Sequence, residues 1–236
     1  MVITKDKTVG ETVTENIKTA HIFKKYGIDF CCGGGISIAK ACENKNVDFS
    51  QLEEELSIVD RPQKAYDYNS WKLGFLIDHI INVHHTYVQD SIPLILQYSN
   101  RVAKVHGHHY TEVLEINELF VAVANELTTH LQKEEMILFP YIKKMVSLKG
   151  EIETPPFGTV NNPVAMMEQE HEIAGDIFKK IAQLTNNYTP PENACNTFRA
   201  LYAKLEEFEQ DLHQHIHLEN NILFTKAIQL EKELSN

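Results

Sequence analysis

Apolar residues recur with helical spacing over most of the chain, and no stretch alternates in the manner of a half-buried strand. Four long amphipathic segments, near residues 70–101, 109–147, 161–186 and 191–233, predict four long helices, the first of them kinked at Pro93. Connections within each pair are short, and Gly150-Glu151-Ile152-Glu153-Thr154-Pro155-Pro156-Phe157-Gly158 joins the two pairs. Lengths and connections of this kind favour an all-α chain built on an antiparallel four-helix bundle, whose core is able to hold metal ligands.

Upstream the pattern changes. Residues 1–57 read as a small helical domain, residues 58–69 with Pro62 as a linker, and residues 70–236 as the bundle. The first helix is expected from Thr14 to Tyr26, with Gly27 as the left-handed residue that ends it. Ser50-x-x-Glu53 has the form of a capping box for another helix. Between them lies Asp29-Phe30-Cys31-Cys32-Gly33-Gly34-Gly35, a glycine run that no helix or strand interior keeps without cost.

The chemistry sits in a repeat. His130-x3-Glu134-x2-Ile137-Leu138-Phe139 returns 85 positions later as His215-x3-Glu219-x2-Ile222-Leu223-Phe224. Residues four apart share a helix face, so each copy presents an imidazole and a carboxylate to one point, and the apolar tail continues the buried stripe. With 12 His in the chain, a bare H-x3-E match arises by chance about once. His108-x3-Glu112, which lacks the apolar tail, reads as that chance match. The repeat extends upstream: His85 precedes His130 by 45 positions and His171 precedes His215 by 44. Two helical hairpins packed together would bring four His and two Glu to the core.

Composition narrows the surroundings. A formal net charge of -11 argues against nucleic acid, whose phosphates call for Lys and Arg. An apolar fraction of 43% is ordinary for a soluble domain. No apolar run approaches the ~20 residues needed to span a bilayer, and the first residues lack the form of a secretory signal, so no membrane association and a cytoplasmic location are expected. Imidazole with carboxylate and without thiolate suits iron or manganese. Six ligands are too many for one tetrahedral zinc, and two metals sharing Glu134 and Glu219 fit better. Glu168-x-x-His171 matches the ferritin-like Glu-x-x-His spacing once, and Glu168 reads as a surface or imidazole-orienting residue.

Adjacent Cys31 and Cys32 do not readily pair with each other, and their spacing fits no zinc finger. Free thiols beside mobile amides suit redox chemistry or transient metal handling; the alternative is two small apolar residues at a tight turn. Cys42 and Cys195 are expected to be buried and structural.

Together, Asp-Phe-Cys-Cys-Gly-Gly and a bundle with His85, His130-x3-Glu134, His171 and His215-x3-Glu219 resemble the repair-of-iron-centres family, also called ScdA/YtfE. The likeness covers nearly the whole chain, with no departure at the six ligand positions. It implies a hemerythrin-like bundle behind a small N-terminal domain, in a cytoplasmic, homodimeric bacterial stress protein that restores iron-sulfur clusters damaged by nitric oxide or peroxide. It implies two iron ions joined by an oxo bridge, with the four His as terminal ligands and the two Glu bridging. Damaged iron-sulfur proteins are the implied partners. Beside the resemblance, the ligand set and the Cys-Cys segment suggest that Cys31 and Cys32 relay iron or electrons to such a client, since thiolates suit sulfur-rich iron centres. The alternatives are a hemerythrin-like carrier or sensor of oxygen or nitric oxide, and a nitric oxide reductase.

The remaining His are placed by angle. His84 points about 100° away from His85 on a helix and reads as a surface residue, although the choice between the two rests mainly on the family resemblance. His213 and His217 do not share a face with His215 and are expected in solvent. His79 is ambiguous. His106 stands as a candidate ligand or orienting group, and Glu126 and Glu170 as partners for ligating imidazoles or as ordinary surface acids.

Overall fold

A computed structural model describes residues 3–16, 19–30, 32–59, 66–147 and 155–235. Among these residues the structure is helical, with one isolated antiparallel bridge between Thr8 and Ser37. The N-terminal part holds α1 (Val9–Glu15), α2 (Ala20–Lys25), α3 (Ile38–Lys45) and α4 (Phe49–Val59). No described helix is long and apolar enough to cross a membrane.

Local chemistry accounts for the ends of these short helices and corrects two expectations. The capping box is Thr8-x-x-Glu11: the Glu11 amide donates to Thr8 Oγ1 at 3.1 Å and the Thr8 amide to Glu11 Oε2 at 2.8 Å. It starts the first helix at Val9, and that helix stops at Glu15 rather than running from Thr14 to Tyr26. Ser50-x-x-Glu53 is not a box, because Asp48 caps α4 two residues earlier, accepting the Gln51 amide at 3.0 Å. Gly27 does end α2, at φ 65°, with Ile28 N donating to Phe23 O and Gly27 N to Lys24 O, both at 2.9 Å.

Four long helices follow a short 3₁₀ turn at Tyr68–Ser70. Helix α5 comprises Leu73–His79, a π-helical turn at Ile80–His85, and Thr86–His106. Helix α6 comprises Glu112–Lys133, a π turn at Glu134–Leu138, and Phe139–Ser147. Helix α7 is Asn161–Leu184, and α8 comprises Asn196–Leu218, a π turn at Glu219–Phe224, and Thr225–Leu234. Pro93 lies within an unbroken helical stretch, and the irregularity in α5 falls upstream of it.

The four helices enclose two apolar clusters. One joins Val88, Phe120, Phe178 and Phe208 to Val9, Phe23, Leu52 and Leu56 of the N-terminal helices. The other, at the opposite end, holds Leu76, Phe139, Met167 and Phe224. Between them lies a layer of buried polar residues that includes His85, His130, Glu134, His171, His215 and Glu219. The N-terminal helices dock on α8 close to that layer. A Cβ at Gly10 would stand 2.7 Å from Asn221 Oδ1 and 3.1 Å from the Gly34 carbonyl oxygen, so α1 approaches the π turn that begins at Glu219 closely at this glycine. Phe30 packs edge-on to His213 and His217 at 5.8 and 6.1 Å between ring centroids, and Lys24 Nζ reaches Glu209 Oε2 at 2.6 Å.

Candidate metal centre

Each long helix contributes one imidazole to the same level: His85 from α5, His130 from α6, His171 from α7 and His215 from α8. Glu134 and Glu219 each open a π turn, a distortion that recurs at functional sites in helices. The two carboxylates are 0% exposed and the four imidazoles at most 2%. Burial of two carboxylates is costly unless positive charge is brought to them.

The side chains converge as two overlapping sets. His85, Glu134, His215 and Glu219 form one, and His130, Glu134, His171 and Glu219 form the other, with the ligand atoms of each set within 4.8 Å of one another. Both sets use the same two glutamates, so each carboxylate is placed to serve two positions. His85 Nε2 and His130 Nε2 each lie 3.4 Å from Glu134 Oε2, and His171 Nε2 lies 3.2 Å from Glu219 Oε2. His215 Nε2 lies 3.0 Å from Glu219 Oε1.

Outer partners fix which nitrogens face inward. His85 Nδ1 is 2.7 Å from Glu135 Oε1, His130 Nδ1 is 2.9 Å from Glu170 Oε2, and His171 Nδ1 is 2.8 Å from Asn220 Oδ1. Each of these oxygens is an acceptor, so Nδ1 carries the proton and Nε2 offers its lone pair to the centre. The interior is thus lined by lone pairs and carboxylate oxygens, and among the described residues His85 Nε2, both Glu134 oxygens and Glu219 Oε2 find no hydrogen-bond partner. That donor set fits a metal cation. In its absence protons have to serve: burial opposes a charge on His85, but Glu134 and Glu219 outweigh it and push the imidazole up to about 10. Burial likewise opposes a charge on His130, and Glu134 foremost pushes it up to about 9. Burial and Glu219 disfavour the Glu134 charge, yet His130 and His85 hold its carboxyl below the ordinary range.

Comparison with known proteins gives this arrangement a family. A hemerythrin HHE cation binding domain matches residues 76–227, and a domain of unknown function termed ScdA_N matches residues 5–60. The iron-sulfur cluster repair protein YtfE of Yersinia pseudotuberculosis serotype IB (strain PB1/+) is 35% identical over 228 residues, which cover 96% of this chain and 99% of the relative. The protein of the same name from Yersinia pestis (strain Pestoides F) matches to the same extent. The chain belongs to the ScdA/YtfE family of hemerythrin-domain proteins. Its bundle therefore carries a hemerythrin cation-binding domain, and the buried His/Glu layer, which lies within the matched residues, has the donors to hold a metal ion.

Several residues stand elsewhere than their sequence positions suggest. His84 is buried, not a surface residue, with Nδ1 2.9 Å from Asp211 Oδ1. Helix α5 has a neighbour on each side, so two directions 100° apart both enter interhelical seams: His85 turns to α6 and His84 to α8. His217 is fully buried and His213 half-buried, because the N-terminal helices cover that side of α8. His106 is not at the buried His/Glu layer. It lies 21 residues beyond His85 on α5, roughly 30 Å away at 1.5 Å per residue, and its Nε2 is 3.3 Å from Cys195 Sγ. Cys195 is exposed at the start of α8 rather than buried, whereas Cys42 is buried as expected. Glu126 and Glu168 are surface acids. His79 is half-buried, edge-on to Trp71 at 5.1 Å between centroids.

Glu135 and Asn220 were missed by sequence reasoning, although a signal was present: each directly follows the repeated glutamate of its own half. Cys32 is exposed. Cys31 lies outside the described residues. The Gly33 amide beside Cys32 donates to Asp29 Oδ2 at 3.0 Å, and the Gly34 carbonyl accepts the Gly10 amide at 2.7 Å. The cysteine-bearing loop is thereby tied to α1, which meets α8 at Asn221.

Proposed function

We propose that this protein is a di-iron protein that restores iron-sulfur clusters damaged by oxidative or nitrosative stress, acting in the cytoplasm as a homodimer on damaged iron-sulfur proteins. The observation that carries the iron count is the pair of four-residue sets sharing Glu134 and Glu219. His85 and His215 would hold one iron, His130 and His171 the other, and the two glutamates would bridge them beside an oxo bridge. The repair role rests on the likeness to the iron-sulfur cluster repair proteins YtfE, matched over nearly the full length of both chains.

Bound iron supplies exchangeable ferrous ion and a site for a small ligand such as nitric oxide or oxygen. The chain's own residues do the rest. Glu135, Glu170 and Asn220 hold three imidazoles in the tautomer that directs Nε2 inward. The two apolar clusters exclude water from either end of the layer. In this reading Cys31 and Cys32 are the thiols that pass iron or electrons to the client, since thiolates suit sulfur-rich iron centres, and contact of the N-terminal helices with α8 keeps their loop near the site.

Elemental analysis of protein purified without oxygen tests the core of the proposal. About two irons per chain are expected in the wild type and none in Glu134→Ala/Glu219→Ala. A single zinc unaffected by the substitutions would overturn it. Reactivation of a nitric-oxide-damaged dehydratase by the wild type, lost in Cys31→Ser/Cys32→Ser, tests the relay.

A further inference from the structure

The two halves of the bundle repeat the ligands but not everything that grips them. The His on the first helix of each hairpin is held by the residue after the motif glutamate: His85 by Glu135, and His171 by Asn220. The His of the motif itself should, by the same repeat, be held by the residue just before the first-helix His of the other hairpin. His130 obeys, with Nδ1 2.9 Å from Glu170 Oε2, and Lys133 pairs with the same carboxylate. For His215 the corresponding residue is His84. Its ring stacks flat on that of His215, 5.5 Å between centroids with planes 7° apart, and spends its Nδ1 on Asp211 at 2.9 Å. A stacked ring presents its face, so it accepts nothing from the ring edge of His215. His215 Nδ1 is accordingly buried with no hydrogen-bond partner among the described residues.

From this broken repeat we infer that the two metal positions are unequal: the position formed by His85, Glu134, His215 and Glu219 holds its iron less tightly and is the one that gives iron up, while the position formed by His130, Glu134, His171 and Glu219 retains it. The physical ground is the outer partner. An imidazole whose distal N–H is held by an acceptor is fixed in tautomer and orientation and is more basic toward metal, and removal of such a partner costs 10–100-fold in affinity. Both imidazoles of the retaining position have that partner, and the releasing position has it on His85 alone. Position also matters. His215 lies between His213 and His217, against which the ring of Phe30 packs, so the weaker position is on the helix that meets the cysteine-bearing part of the chain. The inference rests on the di-iron reading above and deepens it by naming which ion is the cargo.

The test is the release of iron from the reduced, fully loaded protein to a colorimetric ferrous chelator such as ferrozine, with iron per chain measured first. Two phases of equal amplitude are expected, separated by 10-fold or more. His85→Ala should leave about one iron per chain, released in the slow phase, and His171→Ala should leave only fast-released iron. Glu170→Ala, which removes the outer partner of His130 and leaves all six ligands in place, should bring the slow phase toward the fast one. His84→Gln, whose amide oxygen offers His215 Nδ1 an acceptor, should slow the fast phase. One phase for two irons in the wild type would overturn the inference, as would the opposite assignment, with the slow iron surviving His171→Ala but not His85→Ala. Fewer than two irons per wild-type chain would instead overturn the di-iron reading itself.

Discussion

His130 and His171 aim their Nε2 atoms at each other across 3.0 Å in the centre of the bundle. The outer nitrogens of both rings face acceptors, Glu170 and Asn220, so two lone pairs would confront each other unless a proton or a cation lay between them. The same holds around the layer, where His85 Nε2 faces Glu134 and Glu219. The cluster is therefore a site that draws a proton or a cation, and metal and protons compete for it.

Iron uptake should accordingly release protons. His85 and His130, pushed up to about 10 and about 9 by the buried glutamates, are both protonated at pH 7.5 when no metal is bound, and a ligating imidazole nitrogen has to lose its proton. Calorimetric titration with ferrous ion in buffers of different ionisation enthalpy should show more than one proton released per fully loaded chain at pH 7.5. The number should fall as pH rises through 9 and 10, since the raised values mean the protons are present below them and gone above. Release of no protons at pH 7.5 would mean that the imidazoles of the layer are uncharged without metal.

Glu231 links three elements at the end of the bundle remote from the N-terminal helices. Its Oε1 accepts from Tyr141 Oη at 2.7 Å and from the Val160 amide at 2.8 Å, which satisfies an otherwise free donor at the start of α7. Burial, with the Glu231 carboxylate beside it, pushes the Tyr141 hydroxyl well above its ordinary value. Glu231→Ala leaves two buried donors without an acceptor and is expected to cost about 1–3 kcal/mol. Guanidinium unfolding of the metal-free protein should show the shift, and Glu231→Gln, which keeps one acceptor, should lose less.

The convergence of the six His and Glu side chains was legible because their arrangement is a matter of pitch. His130-x3-Glu134 and His215-x3-Glu219 meet on one helix face whatever surrounds them, and the duplicated spacing supplied His85 and His171. Pitch gives an angle and says nothing of the neighbour at that angle. His84 and His217 were misplaced for that reason, the first facing α8 and the second lying under the N-terminal helices. The π turns left no trace in periodicity, and Glu135 and Asn220, which those turns carry, were passed over as residues adjacent to ligands. Thr8-x-x-Glu11 was visible as a capping box, but Ser50-x-x-Glu53 has the same form, and only the position of Asp48 separates them.

The Thr8 box makes the start of α1 sensitive to acid. Hydrogen bonds from the Thr8 backbone and then its side chain hold the Glu11 carboxyl below its ordinary 4.5. A lowered value means that the carboxylate's contribution is fully present above pH 4.5 and is lost as pH falls through the folded value. Amide exchange at Gly10 and Glu11 should therefore quicken below pH 4.5 relative to that at the core of α8, and Glu11→Ala should show the quick exchange at neutral pH.

The glycine run after Cys32 contains one position that is fixed by its surroundings and one that is not. A Cβ at Gly34 would stand 2.4 Å from the Phe30 carbonyl oxygen and 3.2 Å from the Gly10 Cα, all backbone, whereas a Cβ at Gly35 would meet nothing within 4 Å. Side chains yield by rotating; backbone in contact with backbone yields only by moving apart. Gly34→Ala should thus push the cysteine-bearing loop away from α1, breaking the 2.7 Å bond from Gly10 N to Gly34 O and loosening the approach of α1 to Asn221. Gly35→Ala should leave all of this intact. Hydrogen exchange resolved by peptide should show faster exchange over residues 9–16 in Gly34→Ala alone, with iron content unchanged in both variants because no ligand is touched. If the thiols act from this docked loop, repair activity should fall with Gly34→Ala and persist with Gly35→Ala. Equal behaviour of the two variants would mean that the docking of the loop has no part in the reaction.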